Sequence, residues 1–285
     1  MRAMTETALE CFDFDQAFSD YLKRWLKTHQ AEYKGNMDKV EERIPDIYEA
    51  FLNAPLKPGS DVTPLTYFSG YDDAGLLVRW MMTYKEKGVP IPDILLERIV
   101  ELGDDAEKAL FEIVKKEDCA EEIRMTAASL LQELDSTLPM ELYAEAVAKA
   151  KEESGLVELY TESLAHMGEK AAVAVRKRYD EATETGKIAL LDVLCTAGRD
   201  ANADTYELIM KLLEGGNPRT GLLVSYLAKL NDERALPMLY RLGEKTDIDY
   251  LDYIEVINAI EALGGERPKE REFAGDPAYE SLRHL

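Results

Sequence analysis

The sequence predicts an all-α fold, an α-solenoid of about six helix pairs with a helical cap at its N-terminal end. Proline, glycine and short polar clusters interrupt the chain roughly every 12 to 18 residues, and apolar residues between them recur at spacings of three and four. Runs of strict apolar and polar alternation, which are typical of strands, are absent. A recurring helix ending sets the period of the repeat.

Six similar helix endings follow one another at intervals of 30 to 33 residues. They are centred on Gly103, Asp135, Gly168, Gly198, Asn231 and Gly264. Glycine, and less readily Asn or Asp, tolerates the left-handed backbone conformation that ends a helix. We therefore predict that each of these six anchor residues ends the second helix of a pair, and that each pair is one repeat of a stacked array.

The second helix of each predicted pair carries three apolar columns, at one, four and eight residues before the anchor. The first column is Leu102, Leu134, Met167, Ala197, Leu230 and Leu263; the second is Ile99, Leu131, Leu164, Leu194, Leu227 and Ile260; the third is Leu95, Ala127, Tyr160, Leu190, Leu223 and Val256. Residues at these spacings share one face of a helix, so we predict that the columns are buried.

The first helix of each pair precedes this second helix. The predicted first helices are 73–87, 105–117, 139–153, 169–182, 203–214 and 233–245. An isolated pair cannot bury its apolar stripe, whereas stacked neighbours bury it between them. Residues 71–264 are therefore predicted to form one solenoid domain.

The two ends of the chain depart from this pattern. Residues 1–70 are predicted to be a helical cap and connector, with helices at about 14–33 and 37–52 and a short helical turn at 64–68. The aromatic residues Tyr67, Phe68 and Tyr71 are interpreted as packing this cap against the first repeat. Residues 265–285 are predicted to be a polar tail or a second cap.

Two segments of the last unit carry a family resemblance. Residues 231–242 read NDERALPMLYRL and residues 253–264 read YIEVINAIEALG, which resembles the short HEAT-like repeat of phycobilisome lyases and bacterial scaffold proteins. Residues 103–134 follow the same plan. The resemblance implies a right-handed superhelix of antiparallel helix pairs, whose second helices line a concave surface that binds proteins. It does not imply one activity.

If the second helices line such a concave surface, polar positions between the buried columns project from it. The candidate protein-binding residues are Glu97, Ser129, Glu162, Asp192, Ser225 and Asn258, six residues before each anchor, together with Glu101, Glu133 and Glu255. His166, Thr196 and Lys229 occupy equivalent neighbouring positions. This ladder of carboxylates and short polar groups suits a basic or extended polypeptide. The alternative is an ordinary solvated helix face.

Charge argues against several partners. The chain has 34 Lys and Arg against 56 Asp and Glu, a formal net charge of −22, which repels nucleic acid and anionic membranes. The one basic cluster, Arg176-Lys177-Arg178, is interpreted as a solvated face of a first helix, and Glu152-Glu153 as surface acids near a helix end. No hydrophobic block resembles a signal peptide or membrane span, so we expect a cytoplasmic protein.

Catalytic signatures are also missing from the sequence. There is no G-x-S-x-G, P-loop or G-x-G-x-x-G pattern, and the three histidines form no His-Glu pair of the kind that binds iron in the HEAT-like deoxyhypusine hydroxylase. Cys119 and Cys195 are interpreted as small buried residues of repeat helices. The sequence favours a non-enzymatic scaffold or adaptor without a cofactor or metal. The alternative is a helical-repeat enzyme or enzyme subunit related to the bilin lyases, which a bound chromophore, metal or other small molecule would favour.

Overall fold

The structure is a computed structural model that describes residues 9–33, 37–198, 204–269 and 271–282. These residues form sixteen α-helices and one short 3-10 helix and contain no β-strand. The predicted all-α class of helical-repeat solenoid is confirmed, because the helices pack in neighbouring pairs. The chain divides into two compact units, Met1–Ser136 and Thr137–Leu285. Their boundary lies inside the predicted solenoid of residues 71–264, and the predicted domain limits stay a prediction.

The described residues of the unit Met1–Ser136 form seven helices. They are α1 (Phe14–Tyr33), α2 (Met37–Glu41), α3 (Ile44–Leu52), α4 (Ala74–Glu86), α5 (Asp93–Glu101), α6 (Asp104–Val114) and α7 (Glu121–Glu133). Helix α1 packs on α3, α4 pairs with α5, and α6 pairs with α7. The first helices α4 and α6 also contact each other, as do the second helices α5 and α7. These contacts are the stacking expected between successive repeats.

The predicted helix at 37–52 is wrong in one respect, because it is two helices rather than one. Helix α2 ends at Glu41 and α3 begins at Ile44, with Pro45 in its first turn. Proline lacks a backbone N–H and its ring crowds the preceding turn, so it is tolerated in the first turn of a helix but not in the interior. Pro45 therefore forces a new helix start at this position.

The N-terminal segment and the connector pack on α4 around Trp80. The indole Nε1 of Trp80 donates a hydrogen bond to the Glu10 carbonyl at 3.0 Å, and the Tyr84 hydroxyl donates to the Phe12 carbonyl at 3.1 Å. Phe68 is 1% exposed and meets the Trp80 ring edge-on, with 5.1 Å between ring centroids. The predicted packing of the connector aromatics against the first repeat is confirmed.

The unit Thr137–Leu285 contains the remaining helices. They are α8 (Met140–Lys149), α9 (Gly155–His166), α10 (Glu169–Tyr179), α11 (Glu184–Ala197), α12 (Thr205–Glu214), α13 (Thr220–Leu230), the 3-10 helix Glu233–Ala235 with α14 (Leu236–Glu244), α15 (Tyr250–Ala262) and α16 (Pro277–Leu282). The pairs are α8 with α9, α10 with α11, α12 with α13, and α14 with α15. Helix α11 contacts both α9 and α13, and α13 contacts α15, so the second helices form a continuous row.

All six anchors and two of the three columns predicted to be buried agree with the sequence prediction. All six anchors have positive φ, from 51° at Asp135 to 85° at Gly198. Every residue of the columns four and eight before the anchor is at most 1% exposed. The column one before the anchor was also predicted to be buried, but it is buried only at Leu230 and Leu263 and is half-buried at the other four positions. The period of the sequence therefore fixes both the helix ends and the core.

The segment after the last repeat packs on α15. Phe273 lies 4.8 Å from Tyr253 between ring centroids, and the Arg271 guanidinium lies over both rings. The Tyr250 backbone N–H donates to the Asp276 carboxylate at 3.0 Å. Of the two sequence interpretations of residues 265–285, a docked second cap fits these contacts. No helix among the described residues combines the length and apolar character that a membrane span requires.

Candidate functional site

One face of each of three second helices, α9, α11 and α13, forms a groove in the unit Thr137–Leu285. Its cavity volume is about 520 Å³. Helix α11 contacts both α9 and α13, so it lies between them. The lining residues are Glu153, Ser154, Val157, Glu158, Thr161, Glu162, Thr185, Ile188, Ala189, Asp192, Arg219, Leu222 and Tyr226. Their spacings of three and four along each helix show that the groove follows one face of each.

Helix caps fix where α9 and α11 begin. The Ser154 hydroxyl accepts a hydrogen bond from the Val157 N–H at 3.3 Å and starts α9, while the Thr183 hydroxyl accepts from the Gly186 N–H at 3.0 Å and starts α11. Gly186 lets α11 approach α8 closely, because a Cβ atom there would lie 2.6 Å from the Ala148 carbonyl oxygen. The start of α11 is therefore fixed by a backbone contact with α8.

Four carboxylates line the groove, and two of them are in ion pairs. Glu153 pairs with Arg219 at 2.6 Å, and Asp192 pairs with Lys229 at 2.7 Å. Glu158 and Glu162 have no ion-pair partner within the described part of the chain. They are one helical turn apart on α9 and so share one face. The groove therefore has an excess of negative charge on its α9 side.

Tyr226 is one of two polar residues on the α13 side of the groove, together with Arg219, which pairs with Glu153. Tyr226 is 8% exposed, it lines the cavity, and its hydroxyl has no hydrogen-bond partner among the residues described. Burial raises the pKa of Tyr226 well above its usual value, and the nearby Asp192 carboxylate raises the pKa further. The hydroxyl is therefore protonated at neutral pH and can accept or donate a hydrogen bond to a ligand.

The rest of the lining is apolar or already satisfied. Val157, Ile188, Ala189 and Leu222 contribute aliphatic surface, and Leu222 is 39% exposed. The Thr161 hydroxyl donates to the Val157 carbonyl of its own helix at 2.8 Å. Aliphatic surface beside unpaired carboxylates suits a ligand group with an apolar stem and a cationic end.

Of the nine candidate residues predicted from the sequence, Glu162 and Asp192 line this groove. The other seven lie outside its lining: Glu97, Ser129, Glu101, Glu133, Ser225, Asn258 and Glu255. Two have other roles in the structure, since Glu101 pairs with Arg98 at 2.7 Å and the Ser225 hydroxyl donates to the Leu222 carbonyl at 2.8 Å. The prediction missed Glu158, Arg219 and Tyr226, which line the groove.

Two sequence interpretations outside the groove are corrected by the structure. Arg176 and Arg178 are only partly solvated, because their side chains are 28% and 26% exposed and pair with Asp204 and Glu141, each at 2.7 Å, whereas Lys177 is exposed as interpreted. Cys119 lies in the turn between α6 and α7, not in a helix, because α6 ends at Val114.

The other cysteine interpretation is confirmed. Cys195 lies in α11 and is 1% exposed, and burial raises its pKa to about 12. The described ranges contain no group of three or more His, Cys, Asp or Glu side chains that could hold a metal ion.

Comparison of the chain with protein-family models, with curated proteins and with solved structures finds no match. The HEAT-like resemblance of residues 231–264 therefore stays a prediction from the sequence. The residues of the groove are the basis on which a function can be assigned.

Proposed function

We propose that this chain is a non-catalytic adaptor that binds an extended, basic segment of a partner protein in the groove of α9, α11 and α13. The observation that carries the proposal is the pair of carboxylates, Glu158 and Glu162, which line the groove without an ion-pair partner in the described chain. Lys or Arg side chains of a partner would supply the missing positive charge.

The size of the groove supports an extended segment. Packed helices lie about 8–10 Å apart, so three neighbouring second helices span roughly 20 Å. An extended chain advances about 3.3 Å per residue, and about six residues would cross the groove. Alternate side chains of such a segment point the same way, so basic residues at every second position would face the acidic side.

The charge of the whole chain supports the same partner. A net charge of −22 attracts positively charged segments at long range and accelerates their encounter. Within the groove, Val157, Ile188 and Leu222 would contact the aliphatic stems of the bound Lys or Arg residues. The three cysteines, Cys11, Cys119 and Cys195, are free thiols, and this supports a reducing compartment such as the cytoplasm as the place of action.

The test uses a labelled peptide in which Ser alternates with Lys or Arg, and a second peptide with Glu in place of the basic residues. We expect the basic peptide to bind and the acidic peptide to fail in a fluorescence anisotropy titration. The double variant Glu158→Gln with Glu162→Gln should weaken binding about tenfold, since two exposed charge pairs contribute about 0.5–1 kcal/mol each.

A matched control removes two exposed charges outside the groove, with Glu181→Gln and Glu214→Gln. This variant has the same net charge as the groove variant and should bind like the unchanged protein. Equal weakening in both variants would show that only the general field attracts the peptide. Equal weakening, or no binding by the unchanged protein, would contradict the proposal.

A further inference from the structure

The groove contains a hydroxyl group without a protein partner on the side opposite the acidic pair. Tyr226 is 8% exposed, its side chain lines the cavity, and its hydroxyl has no hydrogen-bond partner in the part of the chain that the structure describes. The hydroxyl itself reaches solvent in the groove, so a ligand group that displaces this water must replace its hydrogen bond. This observation is independent of the carboxylates on α9.

The acceptors stand on opposite sides of the groove. Glu158 and Glu162 belong to α9 and Tyr226 to α13, with α11 between the two helices. A sphere of the cavity volume, about 520 Å³, is roughly 10 Å across. A ligand group that binds both sides must therefore present donors that diverge over several ångströms.

The side chains of arginine and lysine differ in how far apart the acceptors that they bind can lie. Two oxygen atoms that accept hydrogen bonds from opposite edges of one guanidinium lie about 7–8 Å apart. This separation is the sum of two N···O distances of about 2.9 Å and the distance between the donating nitrogens. Acceptors bound to one ammonium nitrogen lie no more than about 5 Å apart. The guanidinium is also less strongly hydrated and so enters a partly buried groove more readily.

We infer that the groove is selective for arginine, with one guanidinium donating to Glu158 or Glu162 on one edge and to the Tyr226 hydroxyl on the other. The inference rests on the proposed function, since it names the side chain that the basic segment places in the groove. Tyr226 is then a specificity-determining residue, and the acidic pair supplies most of the affinity.

The test compares two labelled peptides that are identical except that every basic residue is Arg in one and Lys in the other. The unchanged protein should bind the Arg peptide about tenfold more tightly, the size of effect that one charge-assisted hydrogen bond provides. Tyr226→Phe removes only the hydroxyl and should bring the two affinities to within about twofold. Tyr240→Phe, which removes a hydroxyl that donates to the Glu266 carbonyl outside the groove, should keep the preference.

A peptide with the Arg residues dimethylated on both terminal nitrogens gives a second measurement that needs no protein variant. Dimethylation keeps the charge but blocks the paired donors, so affinity should fall to that of the Lys peptide. Equal binding of the Arg and Lys peptides, an unchanged preference in Tyr226→Phe, or full binding of the methylated peptide would overturn the inference.

The test also separates this inference from the proposed function. If both peptides bind equally and both are weakened by the Glu158→Gln with Glu162→Gln variant, the adaptor proposal stands and the arginine preference fails. If neither peptide responds to that variant, both fail.

Discussion

The two sides of the unit Thr137–Leu285 use charge in different ways. On the side of the first helices, opposite charges join successive repeats. The pairs are Arg178 with Glu141, Arg176 with Asp204, and Arg234 with Glu207. On the side of the second helices, Glu158 and Glu162 are left without a partner in the described chain. Ion pairs join repeats on both sides, since Asp192 on α11 also pairs with Lys229 on α13, but the side of the second helices additionally leaves Glu158 and Glu162 available for a ligand.

The largest expected effect is on the side of the second helices, where a substitution at Gly186 disrupts the close contact between α11 and α8. In Gly186→Ala, the new Cβ atom would lie 2.6 Å from the carbonyl oxygens of Val147 and Ala148, so α11 must move away from α8. We expect a loss of about 1–3 kcal/mol in the free energy of unfolding, measured by urea denaturation, together with weaker peptide binding. Gly70→Ala is the control, because no atom lies within 4 Å of its added Cβ. Equal stability of the two variants would refute the close contact.

A smaller effect is expected on the side of the first helices, where a substitution at Arg176 removes its ion pairs. Arg176→Ala removes the pairs with Asp204 at 2.7 Å and Asp180 at 3.0 Å and leaves both carboxylates uncompensated. The two carboxylates are well exposed, so we expect a loss of only about 1 kcal/mol, and less in high salt. Lys177→Ala, at an exposed neighbour in the same helix, should cost less than about 0.5 kcal/mol. Peptide binding should be unchanged in both variants, and a loss of binding in Arg176→Ala would show that the two sides are not independent.

The smallest expected effect is on the pH dependence of stability, through two carboxylates whose pKa values shift in opposite directions. Burial raises the pKa of Asp252, although its Oδ1 accepts a hydrogen bond from the Gly221 N–H at 2.8 Å. The Tyr250 and Tyr279 N–H groups instead lower the pKa of Asp276. The stability from Asp252 is thus present below pH ~4 and is lost as pH rises through its raised pKa, whereas the stability from Asp276 is present above pH ~4 and is lost in acid.

The free energy of unfolding, measured at pH 7 and at pH 3, checks both expected directions of change. Asp252→Asn should be slightly more stable than the unchanged protein at pH 7, and the gain should vanish at pH 3, where Asp252 is protonated in the unchanged protein. Asp276→Asn should be less stable at pH 7, and the deficit should shrink at pH 3. If stability at pH 7 changed in the same direction in both variants, burial would not be the main influence on the pKa of Asp252.

The sequence predicted the fold well because burial in a repeat depends on local period. The anchors Gly103 and Asn231 require positive φ whatever their neighbours, and both have it. The split at Pro45 was also visible as a residue type, but the predicted helix at 37–52 ignored that proline cannot occupy a helix interior. The handedness and curvature of a superhelix depend on small rotations between repeats, which no single residue reports.

The site was only half predictable, for a different reason. Glu162 and Asp192 lie at the repeated polar position, so the pattern found them. Tyr226 lies five residues before Asn231, in a column that is otherwise mostly buried, and only its polar tip distinguished it from a core residue. Arg219 binds Glu153, which is far away in sequence, and such tertiary pairs leave no trace in the period.

The docked segment after the last repeat has a consequence for self-association. A stack of helix pairs that ended at α15 would leave its final apolar face open to contact with another copy of the chain. Here Phe273 and Tyr279 lie against Tyr250, Tyr253 and Ile257. Residues 271–282 therefore cover apolar surface of α15 that would otherwise be open to a further copy.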